Sequence, residues 1–88
     1  MENNWELYIL LCGDGTYYTG IARDAEKRLE MHKSGKGAKY TRGRGPLQMV
    51  YRETGLDHTQ ALQRELEIKK LTRARKEALV RGFKGTNK

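Results

Sequence analysis

With 88 residues, a third of them charged, the chain has room for one compact domain that buries only about 60–65% of its unfolded surface. So small a core excludes a deep cavity between domains, and any site must lie on the outside of a few packed elements. The net charge of +7 is one-sided: residues 1–32 hold six acids against three bases, 33–45 hold five bases and no acid, and 46–88 hold ten bases against five acids. Such a field suits polyanions, because each phosphate neutralised releases condensed counterions.

Trp5 to Cys12 is aromatic and aliphatic and reads as a strand. Its apolar core from Leu7 on is too short to cross a bilayer, and no basic segment precedes it as in a secretory signal, so the expectation is a cytoplasmic protein without a membrane partner. Cys12 is the single cysteine, which excludes an internal disulfide and a cysteine-built metal cluster; it reads as a small buried hydrophobe. Gly13-Asp14-Gly15 is a turn, and Thr16 to Ile21 is the returning strand. Asp24 caps a helix from Ala25 to Lys33, ended by Ser34-Gly35, with Ala25, Leu29 and Met31 as its apolar stripe. A glycine- and lysine/arginine-rich loop follows to Gly45. Leu47 to Glu53 is a third strand, and Asp57 with Gln60 forms a capping box for a helix from His58 to Leu71. Thr72 caps a last helix closed by Gly82, so residues 1–82 form one domain and 83–88 a frayed basic tail. The order ββαβαα predicts an α+β fold, a three-stranded antiparallel sheet flanked by helices.

Three local patterns bear on chemistry. Tyr8 on the first strand is followed ten residues on by Tyr18-Thr19-Gly20. Arg28 and His32 share one face of the first helix at i and i+4, and Glu65 sits at the border of the inward stripe of the second. Each also has a plain structural use. Strand tyrosines supply packing area, Arg28 can pair with surface acids, His32 can offset a helix dipole, and Glu65 can pair with Lys69. Strand parity ties the tyrosines to the turn: a two-residue turn puts Tyr8 and Tyr18 on opposite faces of the sheet. A three-residue loop, Gly13 to Gly15 with a left-handed Gly15, pairs Leu10 with Tyr18 and puts both on one face. A shared tyrosine site requires the three-residue loop.

Taken together, Glu6-Leu7-Tyr8 with Tyr18-Thr19-Gly20, the helix bearing Arg28 and His32, Arg64-Glu65 in the next helix and the loop Ser34-Gly35-Lys36-Gly37-Ala38-Lys39-Tyr40-Thr41-Arg42 resemble the GIY-YIG nuclease superfamily, in its small single-domain YhbQ-like (UPF0213) branch. The resemblance runs from about Trp5 to Val80. Glu6 and Leu7 replace the glycine and isoleucine of the first triplet. The only asparagine after the glutamate helix, where many members have one, is Asn87.

What the resemblance implies is metal-dependent endonucleolytic hydrolysis of phosphodiester bonds, in repair or nucleic-acid processing, with one Mg²⁺ or Mn²⁺ weakly held without substrate. Glu65 is the implied metal ligand, Arg28 the clamp on a phosphate oxygen, and Tyr8 the general base, with Tyr18 and His32 around the attacking water. The expected partner is DNA or RNA, gripped by Lys36, Lys39, Tyr40, Arg42 and Arg44, with Tyr40 available to stack on a base. The chain is expected to act as a monomer that needs a protein partner for targeting. The demanding element is Tyr8: a phenol with pKa about 10 is ionised in roughly one molecule in a thousand at pH 7, and reaching pKa 7 takes about 4 kcal/mol. Arg28 with a metal would supply that; Arg28 alone in a wet cleft would not. The rival expectation is a non-catalytic nucleic-acid-binding module that keeps the fold and the grip.

Overall fold

In the computed structural model, which describes residues 3–83, three strands form one antiparallel sheet: β1 (Trp5–Leu11), β2 (Tyr17–Ala22) and β3 (Gln48–Leu56), in the order β2-β1-β3. Three helices complete the order ββαβαα: α1 (Ala25–Lys33), α2 (His58–Lys69) and α3 (Arg73–Gly82). Their starts are set by local chemistry. The Asp24 carboxylate accepts the Lys27 N–H at 3.1 Å, and Thr72 accepts the Arg75 N–H at 3.2 Å. The capping box of α2 is reciprocal, with Gln60 N–H on Asp57 at 2.8 Å and Asp57 N–H on Gln60 at 2.9 Å.

The hairpin loop has the odd length that parity demands. Gly15 takes a left-handed φ of 85°, its N–H donates to the Cys12 carbonyl at 2.9 Å, and Leu10 pairs with Tyr18. Alternation along β1 then sorts side chains to two faces. Leu7 and Ile9 point to α2 and α3, where they meet Ile68, Leu71 and Leu79; Tyr8 and Leu10 point to α1, where they meet Ala25, Leu29 and Tyr18. The central strand is thus buried on both sides, and each face holds a small core. Ile68 alone, fully buried, contributes about 1.5–3 kcal/mol to the seating of α2.

The strand at the third position is longer than its composition suggests. The third strand, expected to end at Glu53, continues to Leu56, which pairs with Trp5. Gly55 adopts a φ of 76° at a register shift, so it acts as a bulge inside the strand instead of ending it. Met31 leaves the apolar stripe of α1 and is 36% exposed, because His32, only 2% exposed, takes the inward position beside it. Phe83, assigned to the tail by sequence, packs edge-on against Tyr51 at 5.5 Å. The rest of that tail, with Asn87, lies outside the described residues. No helix of the described residues is long and apolar enough to cross a membrane.

Candidate active site

The α1 face of the hairpin holds the tyrosine pair. Tyr8, 1% exposed, lies across Gly20, its partner on β2, and its ring centroid is 6.4 Å from that of Tyr18. A side chain at Gly20 would meet Tyr8 Oη at 2.6 Å, so the Tyr18-Thr19-Gly20 pattern has a packing reason: the glycine is the space the first tyrosine fills. His32 reaches the same pair from α1. Its ring is 5.2 Å from Tyr18, and its Nε2 is 2.9 Å from Tyr8 Oη.

The far side of His32 is held by the loop after α1. Ala38 N–H points at Nδ1 from 3.2 Å, and the Thr41 hydroxyl lies 2.9 Å from Nδ1 and 2.8 Å from the Ala38 carbonyl. A hydroxyl proton can rotate between those acceptors, whereas a backbone N–H cannot. The fixed donor therefore assigns Nδ1 as the bare nitrogen and leaves Nε2–H to donate to Tyr8 Oη. That tautomer frees the proton of Tyr8 to point outward and would stabilise a phenolate. Gly37 is part of the device, since a Cβ there would stand 2.2 Å from Nδ1.

Burial, and next the charge of Arg28, lower the His32 pKa below its ordinary value, so the ring is neutral at pH 7. The unfolded chain takes up a proton near pH 6.5 that the folded chain resists, so stability is complete above that pH and is lost as pH falls below it. A urea midpoint that drops between pH 7.5 and 5.5, with a smaller drop in His32→Gln, is the expected result; parallel curves would contradict it. Thr41→Val, which keeps the volume and removes the hydroxyl from this buried cluster, is expected to cost about 1–2 kcal/mol in the same titration.

Arg28 and Glu65 act on the same phenol from different elements. Burial, followed by Tyr18, pushes Tyr8 up to about 12; Arg28 opposes this by hydrogen bonding and by charge, and the Glu65 carboxylate adds to it. Arg28 is half-buried, and no carboxylate of the described residues lies within 4 Å of it. Glu65 does make the plain helical pair with Lys69, at 3.2 Å, yet its side chain is only 20% exposed. Its neighbour Arg64 turns away toward β3, with Nε at 2.9 Å from Glu53.

The loop residues divide. Lys36, Lys39 and Arg42 are exposed; the Arg42 Nε donates to the Gly35 carbonyl at 3.2 Å. Arg44 and Tyr40 are not the free contacts the sequence suggested. Arg44 bonds Asp14 at the hairpin tip and the Tyr40 carbonyl at 2.7 Å, and its guanidinium stands 4.2 Å from the Tyr40 ring. That ring in turn stacks on Tyr18 at 5.8 Å and 24°. The Thr16 hydroxyl and N–H, with Arg44, hold Asp14 down at about 2, so this anchor is charged throughout the physiological range.

The chain that carries this cluster has counterparts among known proteins. The family model for the GIY-YIG catalytic domain matches residues 4–78. The chain belongs to the GIY-YIG family. A UPF0213 protein of Halobacterium salinarum is 48% identical over 73 residues, covering 83% of this chain and 95% of that one; one from Oceanobacillus iheyensis is 45% identical over 80 residues, covering 91% and 93%. The solution NMR structure of the UPF0213 protein from Bacillus halodurans is 47% identical, with a TM-score of 0.56, over 86% of this chain and 81% of that one. An E. faecalis protein solved by NMR gives a TM-score of 0.61 at 39% identity, over 100% and 96%. GIY-YIG membership supports a nuclease-like role, and both solved folds agree with the three-stranded sheet and helix order described above.

The donors fit a loosely held hard cation and nothing tighter. Among the described residues no group of three or more histidine, cysteine or acidic side chains stands ready as a ligand set. One partly shielded carboxylate, Glu65, suits Mg²⁺ or Mn²⁺, which take one or two carboxylates and complete their shells with water and phosphate. Sequence reasoning missed Thr41, the Ala38 N–H and the Asp14–Arg44 anchor. Nothing in a glycine-rich loop marks which hydroxyl will turn inward, although Asp14 against a base-rich loop was a visible charge signal.

Proposed function

We propose that this protein is a divalent-metal-dependent endonuclease acting on DNA or RNA, in the cytoplasm, with Tyr8, Tyr18, Arg28, His32 and Glu65 as its working residues. The observation that supports this reading best is that one phenol feels all the others: Tyr8 is bonded to His32, lies beside Tyr18, and has its ionisation pulled in opposite senses by Arg28 and Glu65. Glu65 holds the cation, which when bound supplies Lewis-acid stabilisation of the charge that builds on the phosphate. A cation held there would offset the carboxylate that raises the Tyr8 pKa. Arg28 grips a non-bridging oxygen, for which its planar fork is suited. Tyr8 takes the proton of the attacking water while His32 Nε2–H steadies the phenolate, and Tyr18 orders the water. Lys36, Lys39 and Arg42 hold the backbone.

The test is incubation of purified protein with labelled single-stranded, duplex and flap substrates, with Mn²⁺ and with chelator, beside Arg28→Ala. Metal-dependent cutting that Arg28→Ala loses supports the reading. Salt-sensitive binding with no cutting under any condition would leave only a binding module. Because a phenol held well above neutrality is the base, kcat/KM should rise about tenfold per pH unit from 7 to 9. A flat profile would remove Tyr8 from that role.

A further inference from the structure

The stripe of α1 that carries Asp24, Arg28 and His32 leads to Tyr8. The adjoining stripe, Lys27 and Met31 with Arg23 just ahead of the helix, meets that cluster through Met31, whose Sδ lies 3.9 Å from Arg28 Nη1. It borders an open groove of about 470 Å³ between α1 and the end of the hairpin, lined by Trp5, Arg23, Asp24, Lys27, Arg28 and Met31 among others. Among the described residues no carboxylate lies within 4 Å of Arg23, Lys27 or Arg28, whereas Arg44, Arg52, Arg64, Lys69 and Arg73 all have one. The one acid in the groove, Asp24, is engaged as the cap of α1. Between the cations lie an indole and an exposed thioether. Trp5 rests against His58 with centroids 4.4 Å apart, and is covered otherwise by the Arg23 guanidinium, 5.4 Å from its ring. Arg23 is exposed and has no other side-chain partner among the described residues, so it can swing aside.

Uncompensated cations around an aromatic and apolar floor are the makings of a seat for an unpaired base and its phosphates. A duplex keeps its base faces stacked and offers none to an indole. Arg28 belongs both to this groove and to the cluster around Tyr8, so a phosphate on Arg28 directs the next nucleotide here. We infer that the groove binds the nucleotide adjoining the scissile phosphate, its base against Trp5 and Met31 and its phosphate on Lys27 and Arg23, and that it takes single-stranded nucleic acid. The inference rests on the nuclease reading above, and its test needs no cleavage.

Trp5 is the only tryptophan, so its emission reports on this groove alone. Wild-type protein in chelator is titrated with an unlabelled thymidine oligomer while Trp emission is read, and with a dye-labelled oligomer while anisotropy is read. The expected result is saturable quenching that follows the anisotropy, little quenching by a hairpin duplex of equal length, and at least about a tenfold loss of affinity in Arg23→Glu/Lys27→Glu. Lys70→Glu/Arg75→Glu makes the same charge change on the other side of the sheet and should lose less than about threefold. Binding with unchanged emission, equal quenching by the duplex, or equal losses in the two double variants would each overturn the groove and leave the nuclease reading standing. No binding of any oligomer would overturn both.

Discussion

Glu65→Gln should lower metal-dependent cleavage by about 10²–10³-fold, the range found when one preorganised charge contact to a transition state is removed. The substitution keeps the size of the side chain and the helix propensity of the position. What it loses structurally is a helical pair with the half-exposed Lys69, worth about 0.3–0.5 kcal/mol. Urea midpoints of the two proteins should therefore nearly coincide while single-turnover rates diverge. The same change removes the carboxylate together with the cation that would outweigh it beside Tyr8, so any residual activity should have its pH profile displaced to higher pH. A variant cutting within threefold of wild type would exclude Glu65 as the metal ligand.

Gly20→Ala should damage both stability and activity, for a reason confined to one methyl group. Its Cβ would stand 2.6 Å from Tyr8 Oη, 2.8 Å from Cζ and 3.1 Å from a Tyr18 ring carbon. Tyr8 is not a loose chain end that can move off: it is buried, and its hydroxyl is bonded to His32. Overpacking of this kind costs about 1–3 kcal/mol, which for a domain this small lowers Tm by roughly 4–8 °C per kcal/mol. Whatever shift accommodates the methyl moves the phenol from the histidine, so cleavage should fall more than the remaining folded fraction explains. Thermal melts and single-turnover assays below the melting range separate the two losses. Unchanged Tm and rate would mean that Tyr8 does not lie over Gly20.

Much of the fold could be read from local signals because the chain states them locally. Asp24, Asp57 and Thr72 each start a helix, and the parity of the hairpin follows from one left-handed glycine once both tyrosines are required on one face. The far end of β3 was not legible because glycine, here Gly55, marks turns and bulges alike, and only the partner strand decides between them. The five residues of the candidate site were proposed from the family resemblance, which says nothing of their electrostatics. Ionising Tyr8 was expected to be difficult from the reference value of a free phenol; burial makes it harder still, a tertiary property that no spacing encodes. The ties that hold Tyr40 and Arg44 within the fold were hidden for a similar reason. A base-rich loop looks free until an acid thirty residues earlier, Asp14, is brought under it.

That anchoring has a kinetic meaning. The segment between α1 and β3 is stitched down twice, by Thr41 at His32 and by Arg44 at Asp14, so it behaves as a fixed rim and not as a flap. Under the proposed function, this segment would not close over an arriving strand to correct a poor fit, so selectivity would be exercised at entry. Partners that melt, fray or bend the polymer beforehand would then govern throughput more than any motion of the catalyst itself.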